Sequence, residues 1–220
     1  MVLPNPYKVL LGVGELVFSG EIASHLFASL YRVALGFFLG VTLAIPIGFF
    51  FGWNKKLYKA SYPLIEMLRT VSPISWIPLA IIWFGIGDLP AIFILAIATF
   101  FPTFLATFKA YTQTPEIIIK TSKNFGAKGS SLFFKVLLPS CLPRIFVGLK
   151  ISLGIAWMVI VAAEMVGMRS GLGYLVLDSR NAIRTDLVIA SMIIIGIVGV
   201  LLDYTMNIAE SYFIKGVKRG

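Results

Sequence analysis

Between His25 and Trp53 the chain carries one formal charge, Arg32, and is otherwise apolar, small or uncharged. A helix of about 20 apolar residues crosses the roughly 30 Å hydrocarbon core of a bilayer. In lipid every backbone polar group must be satisfied by the segment itself, so such a run can only be a membrane helix or part of a closed barrel. The run is continuous rather than alternating, which selects the helix. The constraint extends to the whole chain: 58% of its 220 residues are hydrophobic and only 13% are charged, where a soluble domain carries about 25%. Mean hydropathy is +0.92. An ordinary soluble domain is excluded. A single cysteine, Cys141, forms no intrachain disulfide, and a single histidine, His25, builds no Cys/His zinc site.

Further apolar stretches predict spans over about 57–86, 89–111, 143–168 and 187–213, which with 25–53 makes five. The 57–86 segment is long for one span and contains Pro63, Pro73 and Pro78 with Glu66, Arg69, Thr70, Ser72 and Ser75. It is expected to be kinked or broken, because irregular backbone at membrane depth needs partners from protein or a water-filled cavity. Ahead of the first span, Val9, Leu10, Val13, Leu16 and Val17 recur at helical spacing, which reads as a short N-terminal helix lying at the interface. No signal peptide is apparent. Gly36-x-x-x-Gly40 and Gly48-x-x-x-Gly52 put small residues on one helix face, either as a packing surface for a neighbour or by chance in a glycine-rich span. The fold class expected is an all-α polytopic membrane protein, one domain over 1–220.

The 19 Lys+Arg against 10 Asp+Glu, a formal +9, mark cytoplasmic loops in so apolar a chain rather than nucleic-acid binding. Lys55, Lys56 and Lys59 follow the first span, Lys120, Lys123, Lys128 and Lys135 the third, and Lys215, Lys218 and Arg219 the fifth. The positive-inside rule then puts the 112–142 loop and the C-terminus in the cytoplasm and the N-terminus outside. That loop has helical composition from Glu116 to Phe125, a stop at Gly126, and a second apolar-basic stretch, Leu132 to Leu138, ending in Pro139.

In the loop Gly126, Leu138 and Pro139 fall in the register of the cytoplasmic signature E-A-A, three residues, G, nine residues, I-x-L-P. Val136 stands at the Ile position, and Lys120, Thr121 and Ser122 occupy the E-A-A positions, a departure from the acidic residue. With Leu68-Arg-Thr-Val-Ser-Pro-Ile-Ser-Trp-Ile-Pro78, Trp83-Phe-Gly-Ile-Gly87, Gly154-Ile-Ala-Trp157, Ala162-Ala-Glu-Met165 and Gly171-Leu-Gly-Tyr174, the chain resembles the permease subunits of binding-protein-dependent ABC importers. The likeness is to the branch importing nitrate, sulfonates, taurine or bicarbonate. Members usually carry one more N-terminal span ahead of a stretch like Leu3-Pro-Asn-Pro6, so the resemblance implies either a truncated start or a five-span subunit.

The resemblance implies a permease of the inner (plasma) membrane, surrounded by lipid, that is not itself an enzyme. It pairs with a second copy and works with two ATP-binding subunits and an extracytoplasmic binding protein. ATP and Mg are held on the partner ATPase and no cofactor on this chain, which lacks a G-x-x-x-x-G-K-[ST] loop. It also implies a cytoplasmic coupling helix, with Lys120, Thr121, Ser122, Asn124, Phe125, Gly126, Ala127, Lys128 and Pro139 at the ATPase contact. The bland reading of that loop is a solvated basic connector.

Candidate lining residues for a translocation path between two copies are Arg69, Ser72, Ser75, Trp76, Trp157 and Glu164. Ionisable residues inside a membrane are functional by default. Arg69 either pairs with Glu66 or attracts an anion. Glu164, as a gate or a helix contact, needs a cationic or hydrogen-bonding partner, with Arg169 or Arg180 in view. Arg32 reads as an anchor that snorkels to the outer interface, and the tryptophans more as packing than as substrate contacts. The outer segment 169–184 is amphipathic after its glycines; it either plugs the path or meets the binding protein, or is a plain interfacial connector. The rival to an importer subunit is an ATP-independent secondary transporter or channel, against which stands the lack of visible inverted repeats.

Overall fold

The structure, a computed structural model, describes residues 4–219, with Lys55 and residues 214–219 described by backbone alone. Leu3 of the Leu3-Pro-Asn-Pro6 stretch and the side chains of Lys55, Lys215, Lys218 and Arg219 lie outside what is described. The elements are α1 (Pro6–Phe18), α2 (Glu21–Trp53), α3 (Lys55–Thr70), a 3₁₀ turn (Pro73–Trp76), α4 (Ile77–Phe84), α5 (Asp88–Thr112), α6 (Glu116–Asn124), α7 (Gly129–Leu132), a π turn (Phe133–Leu137), α8 (Leu138–Gly167), α9 (Leu172–Asn181) and α10 (Thr185–Arg219). Among the described residues four helical segments are long and apolar enough to cross a membrane, and the pair α3 and α4, bent by 83°, makes a fifth when taken as one broken span. The fold is the all-α, five-span bundle that the apolar runs predict.

The break in the second span falls at Pro73 rather than at Pro63, which α3 accommodates in its interior. Ser72 sits extended before the 3₁₀ turn, as the residue preceding a proline prefers. None of residues 56–70 is buried within the chain, and α3 meets the bundle mainly at its start, where Tyr58 stacks on Phe108 of α5.

α2 and α5 form the tightest pair, and the glycine spacing is the reason. A Cβ at Gly36 would stand 2.3 Å from Leu95 Cβ, and one at Gly40 2.0 Å from Thr99 Oγ1 and 2.6 Å from the Ala96 carbonyl. Gly48 and Gly52 meet Thr107 and Tyr111 in the same way. Backbones this close gain van der Waals contact, the main drive for helix association in lipid. The four glycines are a packing face, not a chance run. On α8, Gly148 lies against Ala106 of α5 in the same manner. Thr99, Thr103, Thr107 and Ser152 are buried beside this crossing, where Thr103 and Ser152 join α5 to α8 through their hydroxyls, 3.1 Å apart.

α1 starts at Asn5, whose side-chain oxygen accepts from Tyr7 N–H at 3.1 Å, with Pro6 in the first turn. Its 13 residues reach about 20 Å, too short to cross the bilayer. Val9, Gly12 and Leu16 form its buried face, and Gly12 packs on Leu187 at the start of α10.

Pro139 departs from expectation. The apolar-basic stretch does not end there: residues Gly129–Gly167 run as one helical segment of 39 residues. Pro139 has no N–H for the carbonyl one turn back, and the preceding turn widens instead, with Leu138 N–H bonding to Phe133 O. The helix of the fourth span is therefore already under way ahead of Pro143, which sits inside α8.

Candidate functional site

At the end of the bundle holding α9, Arg32 is only 4% exposed and Glu164 fully buried. Arg32 Nη1 donates to Glu164 Oε1 at 2.8 Å and to the Ser170 carbonyl at 2.8 Å; its Nη2 reaches Ser170 Oγ at 2.7 Å, and its Nε meets Asp88 Oδ1 at 2.7 Å. Glu164 also accepts from Ser29 Oγ at 2.8 Å and from Gly173 N–H at 2.9 Å, and Ser29 Oγ accepts from Leu172 N–H at 2.9 Å. Carboxylate and hydroxyl thus cap the free N–H groups that open α9, where negative charge is favoured. Gly171, at φ +112°, makes the approach possible: a Cβ there would lie 2.1 Å from the Glu164 carboxyl carbon. Two expectations are corrected. Arg32 does not snorkel to the interface, because four acceptors hold its guanidinium inside the protein. The partner of Glu164 is Arg32, not Arg169 or Arg180.

The segment 169–184 is tied down by this network and by His25 Nδ1, which accepts from Gly171 N–H at 3.0 Å. At its far end Arg184 bridges Glu15 of α1 and Asp186, each at 2.8 Å. The Arg184 hydrogen bond holds the Glu15 carboxyl below the usual carboxylate range, and the paired carboxylates, Asp186 first, push the Arg184 guanidinium up.

At the opposite end stands α6, which buries none of its residues. It ends as the Gly126 stop predicts: Gly126 takes φ +88°, its N–H bonds Lys123 O at 3.0 Å, and Ala127 N–H bonds Ser122 O at 3.0 Å. These are the two bonds of a Schellman cap with glycine in the left-handed position. Phe125 is 89% and Ile117 68% exposed. Lys120, at the position where the signature has an acid, pairs with Glu116 one turn earlier on the exposed surface. Thr121, Ser122 and Asn124 share this helix, Lys128 and Ala127 follow it, and Pro139 lies on α8.

The remaining sequence candidates divide into two places. Arg69, hydrogen-bonded to Glu66, lines a cavity of about 670 Å³ between the broken span, α5 and α8. Ser72 and Ser75 are exposed at the adjacent joint, and the buried indole N–H of Trp76 has no partner among the described residues. Trp157 lies elsewhere, packed under α10 with its Nε1 donating to Ile195 O at 3.0 Å. Sequence reasoning missed Lys109, Gln113 and Arg144, which join Arg69 in the cavity lining, and the ion pair of Lys150 with Glu210 between α8 and α10. These residues come from stretches far apart in the chain and are brought together only by the packing of α3, α5, α8 and α10. No group of three His, Cys, Asp or Glu poised for a metal occurs among the described residues.

The chain is thus a helical membrane bundle, one span broken, with an exposed, glycine-stopped helix at one end. Residues 36–219 match the family model of the binding-protein-dependent transport system inner membrane component, and the chain belongs to that family. It is the membrane-spanning permease component of an ABC importer. A Bacillus subtilis protein named as an aliphatic sulfonates transport permease is 38% identical over 97% of this chain and 78% of its own length. The nitrate import permease protein of Synechocystis is 33% identical over 99% of this chain and 82% of its own. The fold is shared with a chain of the inward-facing MetNI methionine ABC transporter, at TM-score 0.71 and 20% identity, over 99% of both chains.

Proposed function

We propose that this chain carries a small oxyanion or sulfonate-type solute across the inner membrane. In this reading an external binding protein delivers the solute, and ATP hydrolysis on two separate ATP-binding subunits with Mg drives its passage. The observation that carries the reading is α6: a short helix with Ile117 and Phe125 exposed and no residue buried is a surface that needs a partner. It lies at the end whose loops hold Lys55, Lys56, Lys59, Lys120, Lys123, Lys128 and Lys135, the cytoplasmic side by the positive-inside rule, with the C-terminus. Docked on an ATPase, Lys120 through Lys128, with Pro139 behind them, transmit its closure as rigid-body motion of the spans.

One domain of five spans works as half of a pair, most economically a homodimer, and α3, unburied along 56–70, supports a missing neighbour. The path then runs along the broken span, where Arg69, Ser72, Ser75 and the unpartnered Trp76 indole offer charge and donors. Trp157 and Glu164 act at a distance, the first fixing α8 to α10 and the second holding α9 as an outer gate. The sulfonate and nitrate substrates in the relatives' names support an anionic solute.

Gentle detergent purification from the native membrane, with mass spectrometry and a native mass, tests the assembly. Two permease copies with two ATPase subunits are expected. A lone chain that transports without ATP overturns the reading.

A further inference from the structure

The cavity between the broken span, α5 and α8 has a polarity of its own. Arg69, Lys109 and Arg144 line it together with Gln113, and no Asp or Glu is among its lining residues. Arg69 shares its charge with Glu66, whereas neither Lys109 nor Arg144 forms an ion pair among the described residues. The cationic groups gather at the α6 end: Lys109 and Gln113 close α5, and Arg144 lies in the first two turns of α8. The rest of the wall is apolar, with Ile97, Phe101 and Ile151. Ile97 and Lys109 are twelve residues apart on one helix, about 18 Å along the axis. Ala98, Ala106 and Gly148 keep the floor low, and Pro102 donates no hydrogen bond back along α5.

We propose that this groove binds an amphipathic organic anion, its oxyanion head on Lys109, Arg144 and Arg69 and its aliphatic part along Ile97, Phe101 and Ile151. A bare inorganic oxyanion uses only the mouth and leaves the apolar wall from Ile97 to Ala106, about 13 Å, uncovered. Guanidinium groups suit sulfonate and phosphate oxygens in particular. The same chemistry describes a free alkanesulfonate and the head and chain of an anionic lipid. Only the first of these rests on the function proposed above, and the test separates them.

The full chain, with whatever subunits co-purify, is placed in nanodiscs of phosphatidylcholine and its thermal unfolding followed with ethane-, butane- and hexanesulfonate. Ligand that binds only the folded state raises its stability. Affinity is expected to tighten by up to roughly fourfold per methylene and to vanish in the Lys109→Gln, Arg144→Gln double variant. Lys109→Arg with Arg144→Lys restores it, which separates loss of charge from misfolding.

Native mass spectrometry supplies the second arm. An anionic lipid retained by the wild type and shed by the double variant also supports the groove, with lipid as its occupant. The proposal is overturned if hexanol stabilises as well as hexanesulfonate, if nitrate does as well, or if the double variant responds like the wild type. An importer that fails to couple to ATP while its groove still binds hexanesulfonate counts against the transport reading alone.

Discussion

Arg32 and Glu164, 132 residues apart in the chain, meet at 2.8 Å with side chains 5% and 0% exposed. They close α2 onto α8, and through Ser170 and Gly173 they set where α9 begins. A buried ion pair is stable only when its remaining donors and acceptors are satisfied. Here Ser29, Ser170, Gly173 and Asp88 complete the set.

Removing one partner strands the other. Arg32→Ala is expected to destabilise the bundle by about 3–5 kcal/mol, with protease cleavage appearing in 168–184. Asp88 is 52% exposed, so Asp88→Asn should cost less than about 1 kcal/mol. Thermal unfolding in detergent distinguishes the two. Equal losses for both variants contradict the ranking.

The α2–α5 seam makes a second ranking. Gly40→Ala drives a methyl to 2.0 Å from Thr99 Oγ1 and 2.6 Å from a backbone carbonyl, which cannot yield cheaply. A loss of about 1–3 kcal/mol follows. Gly196, inside α10, has nothing within 4 Å of its added Cβ. Gly196→Ala is expected to gain about 0.5–1 kcal/mol from helix propensity. Denaturation in one detergent compares both with the wild type.

The spans, the existence of a break in the second of them and the Gly126 stop were legible because each is written locally, in apolar length, in prolines or in a glycine at a helix end; which of Pro63, Pro73 and Pro78 breaks the helix was not. The partner of Glu164 was not. Arg169 and Arg180 are near it in sequence, whereas Arg32 reaches it only once α2, α5 and α8 have packed. Pro139 misled for a related reason: a proline signals a stop, yet a widened turn before it let the helix continue. Lys109 and Arg144 lie 35 residues apart, and only the packed fold puts them in one groove with Arg69.

Arg184 ties α1 to α10 through Glu15 and Asp186, and pH tests that tie. The Glu15 carboxyl lies below its ordinary value in the folded chain because Arg184 hydrogen-bonds it, while Asp186 nearby opposes this. A depressed carboxylate contributes stability that is complete above its unfolded value, roughly 4.3, and is lost as pH falls through the folded value. Proteolysis of α1, or a spin label on it, should therefore report loosening only under acid. Glu15→Gln should loosen α1 slightly at neutral pH, since the pair is half-exposed and Val9 and Leu16 still anchor the helix, and should flatten the profile. An unchanged acid profile in that variant rules out Glu15 as the titrating group.

The last expectation concerns Gly126. Its φ of +88° is unfavourable for any side chain and worst for a β-branched one. Gly126→Val should therefore lose the Schellman bonds to Ser122 and Lys123 and fray the last turn of α6. Nothing in the spans touches that position, since an added Cβ has no neighbour within 4 Å. Unfolding of the membrane bundle should stay within about 0.5 kcal/mol of the wild type, as for other surface changes. Transport by the reconstituted importer should fall steeply, because the surface proposed to meet the ATPase has lost its shape. Gly126→Asn, which tolerates the left-handed region better, should retain more transport than the valine variant. Normal transport by the Gly126→Val variant would remove α6 and its stop from the coupling path, whatever the fate of the groove.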